Sequence, residues 1–516
     1  MIKNRKTRVV LTGSLVVVLA GIGYYLFHNS SHPSTYRVIY YGIERAPTWT
    51  TFLDGIGSFS SPRVTDLNRD GVGDIVVGAG RQEFQKSDTA VIALDGITGE
   101  LIWKSAAENQ VFGSPLFYDI TEDGVNDVLI GGRNGIFKAI DGAEGQIIWN
   151  FHELVDQASL GKKYFNFYNP QLIPDQDGDG LRDILVANGG DVLKQPFDAD
   201  RPVGHLMVMG SRNGKIIAEA PMPDGKETYL SAVLSNGGDD GELEIAFGTG
   251  GETIGGSLYV ASLANVLAGD LTKAIRLASN ENKGFIAPPV WVDINADGKE
   301  DLVAASVDGE VFAFDIGRKE LLWKTVITGT EIYSTPAIGY FKNREVPGVY
   351  VTSAIGTWPN LGFSKHSLLD GASGKIVQTD TLGYFQSSSP VVIDLNGDGL
   401  DEALLSVNYE SFSEDGKKTY QNTLFLVDFL DEKMFELIKP LDGQNIASTP
   451  WLGDLDGDGE LDIIFCHSAN PTKEYAFDGM NVNRIKTSVA IKTPILWGGY
   501  MGSEGNGRIS VVQPID

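Results

Sequence analysis

Short aspartate-rich loops are the parts of this sequence whose residue types and spacing could do chemistry. Residues 454–462 read DLDGDGELD, with carboxylates at positions one, three, five and nine and a glycine at position six. Calcium takes about six to eight oxygen ligands, which a short loop can supply when alternate side chains turn inward. Gly459 permits the sharp turn that brings the ninth residue back to the others. The pattern therefore predicts a calcium site.

The loop recurs along the chain, which makes six copies with an acid at position nine, and a faded copy begins at Asn236. Up to six structural Ca²⁺ ions are predicted, each pinning a turn between two strands, whereas Mg²⁺ fits poorly because it demands a tight octahedron. The alternative is a set of solvated Asp/Gly turns without metal. The predicted side-chain ligands are Asp66, Asn68, Asp70 and Asp74; Asp119, Thr121, Asp123 and Asp127; Asp175, Asp177, Asp179 and Asp183; Asp293, Asn295, Asp297 and Asp301; Asp394, Asn396, Asp398 and Glu402; and Asp454, Asp456, Asp458 and Asp462.

The segments around each loop repeat as well. A small residue and a proline usually precede the loop, with the proline four residues ahead, as in Ser61-Pro62 before Asp66. An apolar run follows, and then two apolar segments joined by a tight Asp-Gly turn, as in the hairpin at 91–103. Each repeat of 50–60 residues therefore holds four short strands. This pattern predicts an all-β fold, a β-propeller of four-stranded blades.

The number of blades follows from the proline marks. Eight complete blades are predicted, with first strands near residues 62, 115, 170, 230, 289, 336, 390 and 450. A ninth start at Pro494 supplies only two strands, at 494–501 and 507–512, and the segment at 38–49 is predicted to complete that blade. Pairing of the two ends would remove exposed strand edges. A propeller of nine blades, one of them split, is the prediction, with eight as the alternative.

At these motifs the chain resembles two groups of propellers. The D-x-[DN]-x-D-G-x-x-D loops are similar to FG-GAP/VCBS repeats, as in integrin α-subunits and many exported bacterial proteins. Hairpins such as LDGITGELIWK resemble PQQ-like repeats, as in quinoprotein dehydrogenases and the outer-membrane assembly lipoprotein with that fold. Together the resemblances cover nearly all of residues 36–512 and imply a calcium-binding propeller. They imply no particular activity.

The N-terminus is predicted to anchor the protein in a membrane. A basic segment at 1–8 precedes an apolar run at 9–27, which is long enough to cross a bilayer as a helix. The positive flank predicts a cytoplasmic N-terminus and export of all that follows. The predicted organisation is a cytoplasmic segment (1–8), a signal anchor (9–27), a linker (28–35) and a periplasmic or extracellular propeller (36–516). Cleavage of the anchor would instead release a secreted protein.

Charge and composition exclude some functions. The net charge of −27 argues against a nucleic-acid partner, whose phosphates require a basic surface. The single cysteine, Cys466, excludes an internal disulfide and any cysteine-based zinc cluster. In the sixth repeat the loop acids are replaced by Tyr340, Lys342 and Arg344, so protein cations are expected to stand in for the metal there.

The favoured function is a non-enzymatic module that binds a protein or glycan ligand or acts as a scaffold, with no catalytic or cofactor-binding residue assigned. A polysaccharide lyase is the alternative, and a PQQ-dependent dehydrogenase is less favoured because the chain has no cysteine pair. Ligand contacts are expected from the long connections at 151–169, 191–204, 343–367 and 408–420. Their aromatic residues are expected to be exposed, namely Tyr164, Phe165, Phe167, Tyr168 and Trp358.

Overall fold

The computed structural model describes residues 37–40, 46–237, 241–385, 387–412 and 415–509. Almost all regular structure there is β, in antiparallel groups of four strands that follow one another along the chain. The first strands begin one to three residues after the predicted starts. The all-β prediction and the four-strand repeat are confirmed, and the arrangement is that of a β-propeller.

The first four groups, here called units one to four, contain most of the N-terminal half. Unit one comprises β3 (Arg63–Thr65), β4 (Asp74–Gly78), β5 (Ser87–Leu94) and β6 (Leu101–Ala107). Unit two comprises β7 (Leu116–Tyr118), β8 (Asp127–Gly131), β9 (Phe137–Ile140) and β10 (Ile147–Asn150). Unit three comprises β12 (Gln171–Ile173), β13 (Asp183–Gly189), β14 (His205–Met209) and β15 (Ile216–Pro221), with β11 (Asn166–Phe167) also paired to β13. Unit four comprises β16 (Val233–Leu234), β17 (Glu244–Gly248), β18 (Gly256–Ser262) and β19 (Ile275–Asn280). The helices are α1 (Phe151–Leu154), α2 (Leu263–Leu267) and a 3₁₀ turn at Gln157–Ser159.

Units five to eight continue the pattern. Unit five comprises β20 (Val290–Val292), β21 (Asp301–Ala305), β22 (Glu310–Asp315) and β23 (Glu320–Val326). Unit six comprises β25 (Ala337–Gly339), β26 (Gly348–Thr357), β27 (Asn360–Leu369) and β28 (Ile376–Tyr384), with β24 (Thr330–Glu331) paired to β26. Unit seven comprises β29 (Val391–Ile393), β30 (Glu402–Phe412), β31 (Lys418–Asp428) and β32 (Lys433–Glu436), with β33 (Leu441–Asp442) paired to β31 and β1 (Arg37–Tyr40) to β32. Unit eight comprises β34 (Trp451–Gly453), β35 (Glu460–Ser468), β36 (Gly479–Ala490) and, from the N-terminal side, β2 (Trp49–Asp54).

The predicted ninth unit does not form among the described residues. β2 completes unit eight through its antiparallel register with β36, and β1 joins unit seven, so 38–49 is not a hairpin. Residues 494–509 make isolated bridges and backbone hydrogen bonds to the first strands of other units, at Trp291, Val392 and Leu452. The prediction failed because Thr493-Pro494 repeats the sequence mark of a first strand, while this segment pairs with several first strands at once.

The small residue before each proline links neighbouring units. The Ser61 N–H donates to Ser114 Oγ at 3.1 Å, and the Ser114 N–H donates to Asn169 Oδ1 at 3.0 Å. Equivalent hydrogen bonds run from a backbone N–H to the side-chain hydroxyl group of the next unit: Asn169 to Ser231, Thr335 to Ser389, Ser389 to Thr449 and Thr449 back to Ser61. The last of these joins unit eight to unit one, so the series closes on itself. Pro288, which lacks a hydroxyl group, interrupts it.

Tryptophans at the ends of the outer strands pack against the hairpin of the next unit. The Trp103 indole N–H donates to the Gly142 carbonyl at 2.7 Å, and Trp323 does the same to Gly371 at 2.6 Å. A Cβ on Gly374, whose φ is +68°, would lie 2.5 Å from the Trp323 ring. Trp49 of β2 makes the equivalent contact with Gly96 of unit one. These tryptophans therefore pack each unit against the next.

Candidate functional site

The six acidic loops lie on one face of the propeller, each between the first and second strands of its unit. In every loop the N–H of the position-six glycine donates to the position-one aspartate, at 2.8–3.0 Å. These glycines have φ values of +79° to +88°, in the left-handed region that favours glycine. The predicted sharp turn is therefore present in all six loops.

The ninth residue begins the second strand in five loops and is the third residue of β35 in the loop at 454–462, and in all six loops it is 0–3% exposed. In unit one, Asp74 accepts the N–H of Leu67 at 2.9 Å and that of Gly96, in the following hairpin, at 3.0 Å. Burial raises the pKa of Asp74 to about 6, of Asp301 to about 7 and of Glu402 to about 8. This carboxylate therefore ties the loop to its own sheet, and its charged form is disfavoured by burial in the protein alone.

Two loops bring three carboxylates together. Oxygens of Asp175, Asp177 and Asp183 lie within 4.8 Å of one another, and so do those of Asp454, Asp456 and Asp462. Asp183 Oδ1 is buried and accepts no well-aligned hydrogen bond among the described residues, although the Ser211 backbone N–H is near enough to offset part of the rise that burial causes in the pKa of Asp183. An unpartnered buried carboxylate oxygen beside two others is a donor set that suits a hard cation. Asp456 Oδ1 is likewise buried without a hydrogen-bond partner among the described residues, so both loops offer calcium a donor set. In the loop at 175–183 the protein supplies one cation, Arg212, whose Nε lies 3.1 Å from Asp179 Oδ2.

The loop at 454–462 is neutralised by the protein's own cations. Arg484, on β36, donates to Asp462 Oδ1 at 2.9 Å and to Asp456 Oδ2 at 2.7 Å. Lys486 Nζ lies 2.6 Å from oxygens of Asp456 and Asp458. A metal ion here would compete with a guanidinium group whose side chain is 3% exposed. Sequence reasoning missed this pairing because Arg484 lies outside the loop motif and reaches it only through strand pairing.

In two of the other loops an asparagine side chain donates hydrogen bonds to the loop carboxylates. The Asn68 amide donates to Asp70 at 3.0 Å and to Asp95 at 3.3 Å. The Asn396 amide donates to Asp398 and to Glu402, both at 3.0 Å. In this orientation each amide supplies hydrogen-bond donors to the loop carboxylates. It therefore does part of what a cation would do.

The cations of the sixth unit do not fill their own loop. Arg344 donates to the carbonyls of Gly399, at 2.7 Å, and Asp398, at 3.2 Å, which belong to the loop of unit seven. Lys342 donates to the Phe429 carbonyl, also in unit seven. The expectation that these residues replace a metal within their own repeat is wrong. They link two neighbouring units instead.

The opposite face carries a funnel with a volume of about 510 Å³. It is built from the connections between the second and third strands of each unit and from those between successive units. Because neighbouring strands are antiparallel, these connections lie at the opposite ends of the strands from the acidic loops. Phe59, Phe112, Tyr229 and Tyr333 line it, and each lies two residues before the small residue that links the units. Trp358, Phe385 and Tyr475 complete an aromatic wall.

The charged residues in and beside the funnel are mostly paired with one another. Burial raises the pKa of Glu227, and Tyr229 donates to this carboxylate at 3.0 Å. Tyr333 likewise donates to Glu331 at 2.5 Å. The ion pairs are Arg133 with Glu83 at 2.8 Å, Arg201 with Glu227 at 3.6 Å, Lys283 with Glu331 at 2.5 Å and Lys194 with Asp200 at 3.3 Å.

The Glu252 side chain is the exception. It lines the funnel, and its carboxylate makes no hydrogen bond or ion pair among the described residues. Burial and the nearby Glu331 raise its pKa, while Lys283, Arg133 and Arg201 act in the opposite sense. Glu331, Lys283, Arg133 and Arg201 belong to different units, and all of them act on the Glu252 carboxyl group. This carboxyl group therefore lies toward the middle of the ring, where the units meet. Sequence reasoning missed it, since Glu252 belongs to no motif.

The aromatic residues predicted to be exposed are mostly in the core. Tyr164 and Phe165 are each 6% exposed, Phe167 is 0% and Tyr168 is 7% exposed. Phe167 stacks on Phe137 with ring centroids 5.1 Å apart, so the connection at 151–169 folds back onto unit two. Trp358 is half-buried at the funnel. The error arose because aromatic residues in a long connection were expected to face solvent.

Comparisons with known proteins identify the type of propeller. Residues 49–228, about a third of the chain, match the family model described as outer membrane protein assembly factor BamB, a PQQ-like repeat family. No curated protein matches. The part of the prediction that concerned PQQ-like repeats is thereby confirmed.

Solved structures support the same fold. Quinohemoprotein alcohol dehydrogenase ADHIIG from Pseudomonas putida HK5 is 12% identical with a TM-score of 0.55, over 89% of this chain and 80% of that one. A europium-containing methanol dehydrogenase is 12% identical with a TM-score of 0.57, over 87% and 96%. The quinohemoprotein alcohol dehydrogenase from Comamonas testosteroni is 11% identical with a TM-score of 0.52, over 89% of this chain and 79% of that one. At these identities the likeness concerns the fold alone.

No helix among the described residues is long and apolar enough to cross a membrane. The predicted anchor at 9–27 lies outside those residues, as do the rest of the N-terminal segment and residues 510–516.

Proposed function

We propose that this chain is a non-enzymatic propeller that binds another protein on its funnel face. The observation that carries the proposal is the funnel itself, a concave surface of about 510 Å³ with aromatic walls over mutually neutralised ion pairs. Aromatic side chains supply large contact areas at protein interfaces, and the paired charges beneath them hold the surface rigid. The match to a BamB-type family model supports the same class of function.

The proposal includes the details predicted from the sequence. The eight units form eight blades, which is the alternative to the predicted nine. The loops of FG-GAP/VCBS type hold calcium as a structural ion, and the segment at 9–27 anchors the propeller on the outer side of a membrane. Asp175, Asp177 and Asp183 would hold one such ion, whose charge would offset their mutual repulsion. Membrane attachment predicts that the full chain stays in the membrane fraction after alkaline extraction and that a chain without 9–27 does not.

Quinone-dependent oxidation is the second candidate because solved structures of similar fold include alcohol and methanol dehydrogenases. The residues present do not fit pyrroloquinoline quinone, which carries three carboxylates. The funnel's arginines and lysines are already paired with protein carboxylates, so a triacid would be buried against Glu83, Glu227 and Glu252 without free cations. No quinone chemistry is therefore assigned. A lyase acting on acidic sugars would meet the same excess of carboxylates, and a neutral glycan remains the alternative ligand.

Photo-crosslinking from the two faces tests the proposal. A photoreactive phenylalanine analogue replaces Tyr475, 50% exposed at the funnel, or Ile97, 52% exposed on a hairpin of the opposite face. Irradiation of the cells that produce the protein is expected to give a discrete protein adduct from position 475 and none from position 97. Equal adducts from both positions, or no protein adduct from position 475, would contradict a protein-binding funnel.

A further inference from the structure

Glu252 differs from the other carboxylates that line the funnel, because it has no ion-pair partner among the described residues. Arg133, Arg201, Lys194 and Lys283 each pair with an acid of their own, which leaves Glu252 without a salt-bridge partner among the described residues. Lys283 approaches Glu252, but its Nζ atom donates to the backbone carbonyl of Glu252 at 2.8 Å and to the Glu331 carboxylate. The Glu252 carboxylate is therefore unpaired in the cavity, although Lys283, Arg133 and Arg201 are near enough to act on its pKa.

The walls around this carboxyl group are suited to a cation. A positive charge is attracted to the face of an aromatic ring within about 6 Å, more strongly where water is excluded. The protein already uses one wall in this way, because the Arg133 guanidinium lies 4.7 Å from the centre of the Phe112 ring. Tyr333, Phe385 and Tyr475 line the remaining cavity.

Hydrogen-bonding capacity is also left unused at the cavity. The Tyr168 hydroxyl and Arg133 Nε are buried and have no hydrogen-bond partner among the described residues, and both residues line the funnel. Tyr168 is 7% exposed, so its hydroxyl is held by the fold and not by solvent. Both atoms are closed off from solvent, so a ligand in the funnel would reach them only by displacing the side chains around them.

We propose that the funnel receives a lysine or arginine side chain of the partner protein, with the Glu252 carboxylate as its counter-ion and the aromatic wall around its stem. This inference rests on the proposed protein-binding function and names the chemistry of the partner. A cavity of about 510 Å³ is large enough for such a side chain together with neighbouring residues of an extended segment. The acidic protein, with a net charge of −27, would also attract a basic partner.

Selection from a random peptide library tests the inference without knowledge of the partner. Dodecamer peptides displayed on phage are selected on the immobilised full chain and eluted after competition with excess soluble protein. Lysine or arginine is expected at one recurrent position. For a synthetic peptide from this set, replacing that residue with norleucine is expected to weaken binding at least about tenfold, because the Glu252 carboxylate would lose its cation.

Glu252→Gln and Glu320→Gln provide the matched pair of protein variants. Both remove one carboxylate, but Glu320 is exposed on a strand end at the opposite face. The first variant is expected to weaken the basic peptide at least about tenfold and to leave the norleucine peptide unchanged, and the second is expected to change neither. Melting temperatures equal to that of the unaltered chain establish that both variants fold. If one variant does not fold, the comparison of the basic peptide with its norleucine form on the unaltered chain still decides the question.

The outcomes separate this inference from the proposal beneath it. Enriched peptides that lack a basic residue, or whose affinity is the same for Glu252→Gln, overturn the basic side chain while protein binding stands. If no peptide is enriched and position 475 gives no protein adduct, the protein-binding function itself fails.

Discussion

Individual carboxylates in loops of the same sequence pattern have different partners. Asp177 lies with Asp175 and Asp183 in a cluster that has an unpartnered buried oxygen. Asp456, at the same loop position in unit eight, is bound by Arg484 and Lys486. The motif is shared, but two protein cations bind Asp456 in unit eight. In unit three Arg212 pairs with Asp179, and by our proposal calcium supplies the positive charge for the other carboxylates.

Asp177→Asn and Asp456→Asn are expected to separate these two cases. Asp177→Asn should not lower the melting temperature in EGTA, because it relieves repulsion among the three carboxylates. It should reduce the rise caused by added calcium, since it removes a metal ligand. Asp456→Asn should lower stability by about 1–3 kcal/mol with or without calcium, because Arg484 loses a charged partner in a buried site. Thermal melts of both variants in EGTA and in calcium provide the measurement.

A calcium-dependent effect of Asp456→Asn together with a calcium-independent effect of Asp177→Asn would contradict the assignment of calcium to the loop of unit three. If calcium does not raise the melting temperature of the unaltered chain at all, the loops are Asp/Gly turns and the proposed metal sites are wrong.

Contacts between elements explain why the repeats keep tryptophan and glycine at fixed positions. Each outer-strand tryptophan contacts the hairpin of the next unit, as Trp323 does with the turn that contains Gly371 and Gly374. At this turn the backbone is in the left-handed region and the ring lies against it. The glycine is therefore required both for its φ value and for the space it leaves.

Gly374→Ala tests this contact against a control with the same backbone strain. Gly329 also has a positive φ, +75°, but nothing lies within 4 Å of a Cβ built on it. Alanine at either site costs about 1 kcal/mol for the left-handed conformation. At Gly374 it must also displace the Trp323 ring, which adds about 1–3 kcal/mol. Chemical denaturation should show Gly374→Ala to be clearly the less stable variant, and equal losses would refute the packing role.

Much of the element pattern was predictable from the sequence. The small-Pro marks, the acidic loops and the tight hairpin turns recur in most units, so the four-stranded repeat follows largely from local signals. The contact of Arg484 with the loop at 454–462 was not predictable from local signals, because it depends on the register between β35 and β36. The funnel also escapes prediction, since its lining comes from single residues in nearly every unit.

At the scale of the whole molecule, closure depends on one strand from the far end of the chain. β2 is the outer strand of unit eight, and its Trp49 contacts Gly96 of unit one. Residues 494–509 then cross between units, with Arg63 of unit one donating to the carbonyls of Tyr500 and Gly505. The predicted ninth unit failed at this scale because a segment with the marks of a first strand became a connector between units.

Replacing β2 with a Gly/Ser linker of equal length tests the closure. The change should lower the melting temperature and promote self-association, because β36 would become an exposed edge strand. The control is the same replacement of β1, which adds a strand to unit seven but does not complete unit eight. Size-exclusion chromatography and thermal melts should show the larger effect for β2. A larger effect for β1 would contradict this account of closure.

The pairing of β2 with β36 also sets a waiting time during biosynthesis. Thr50, on β2, donates to Asn483, on β36, across 433 residues of sequence. At about 5–20 residues per second, the partner strand is made roughly 20–90 seconds after β2. Throughout that interval β2 lacks the strand that will cover its edge. Translation speed therefore determines how long the nascent protein is vulnerable to aggregation, however fast the strands pair once both exist.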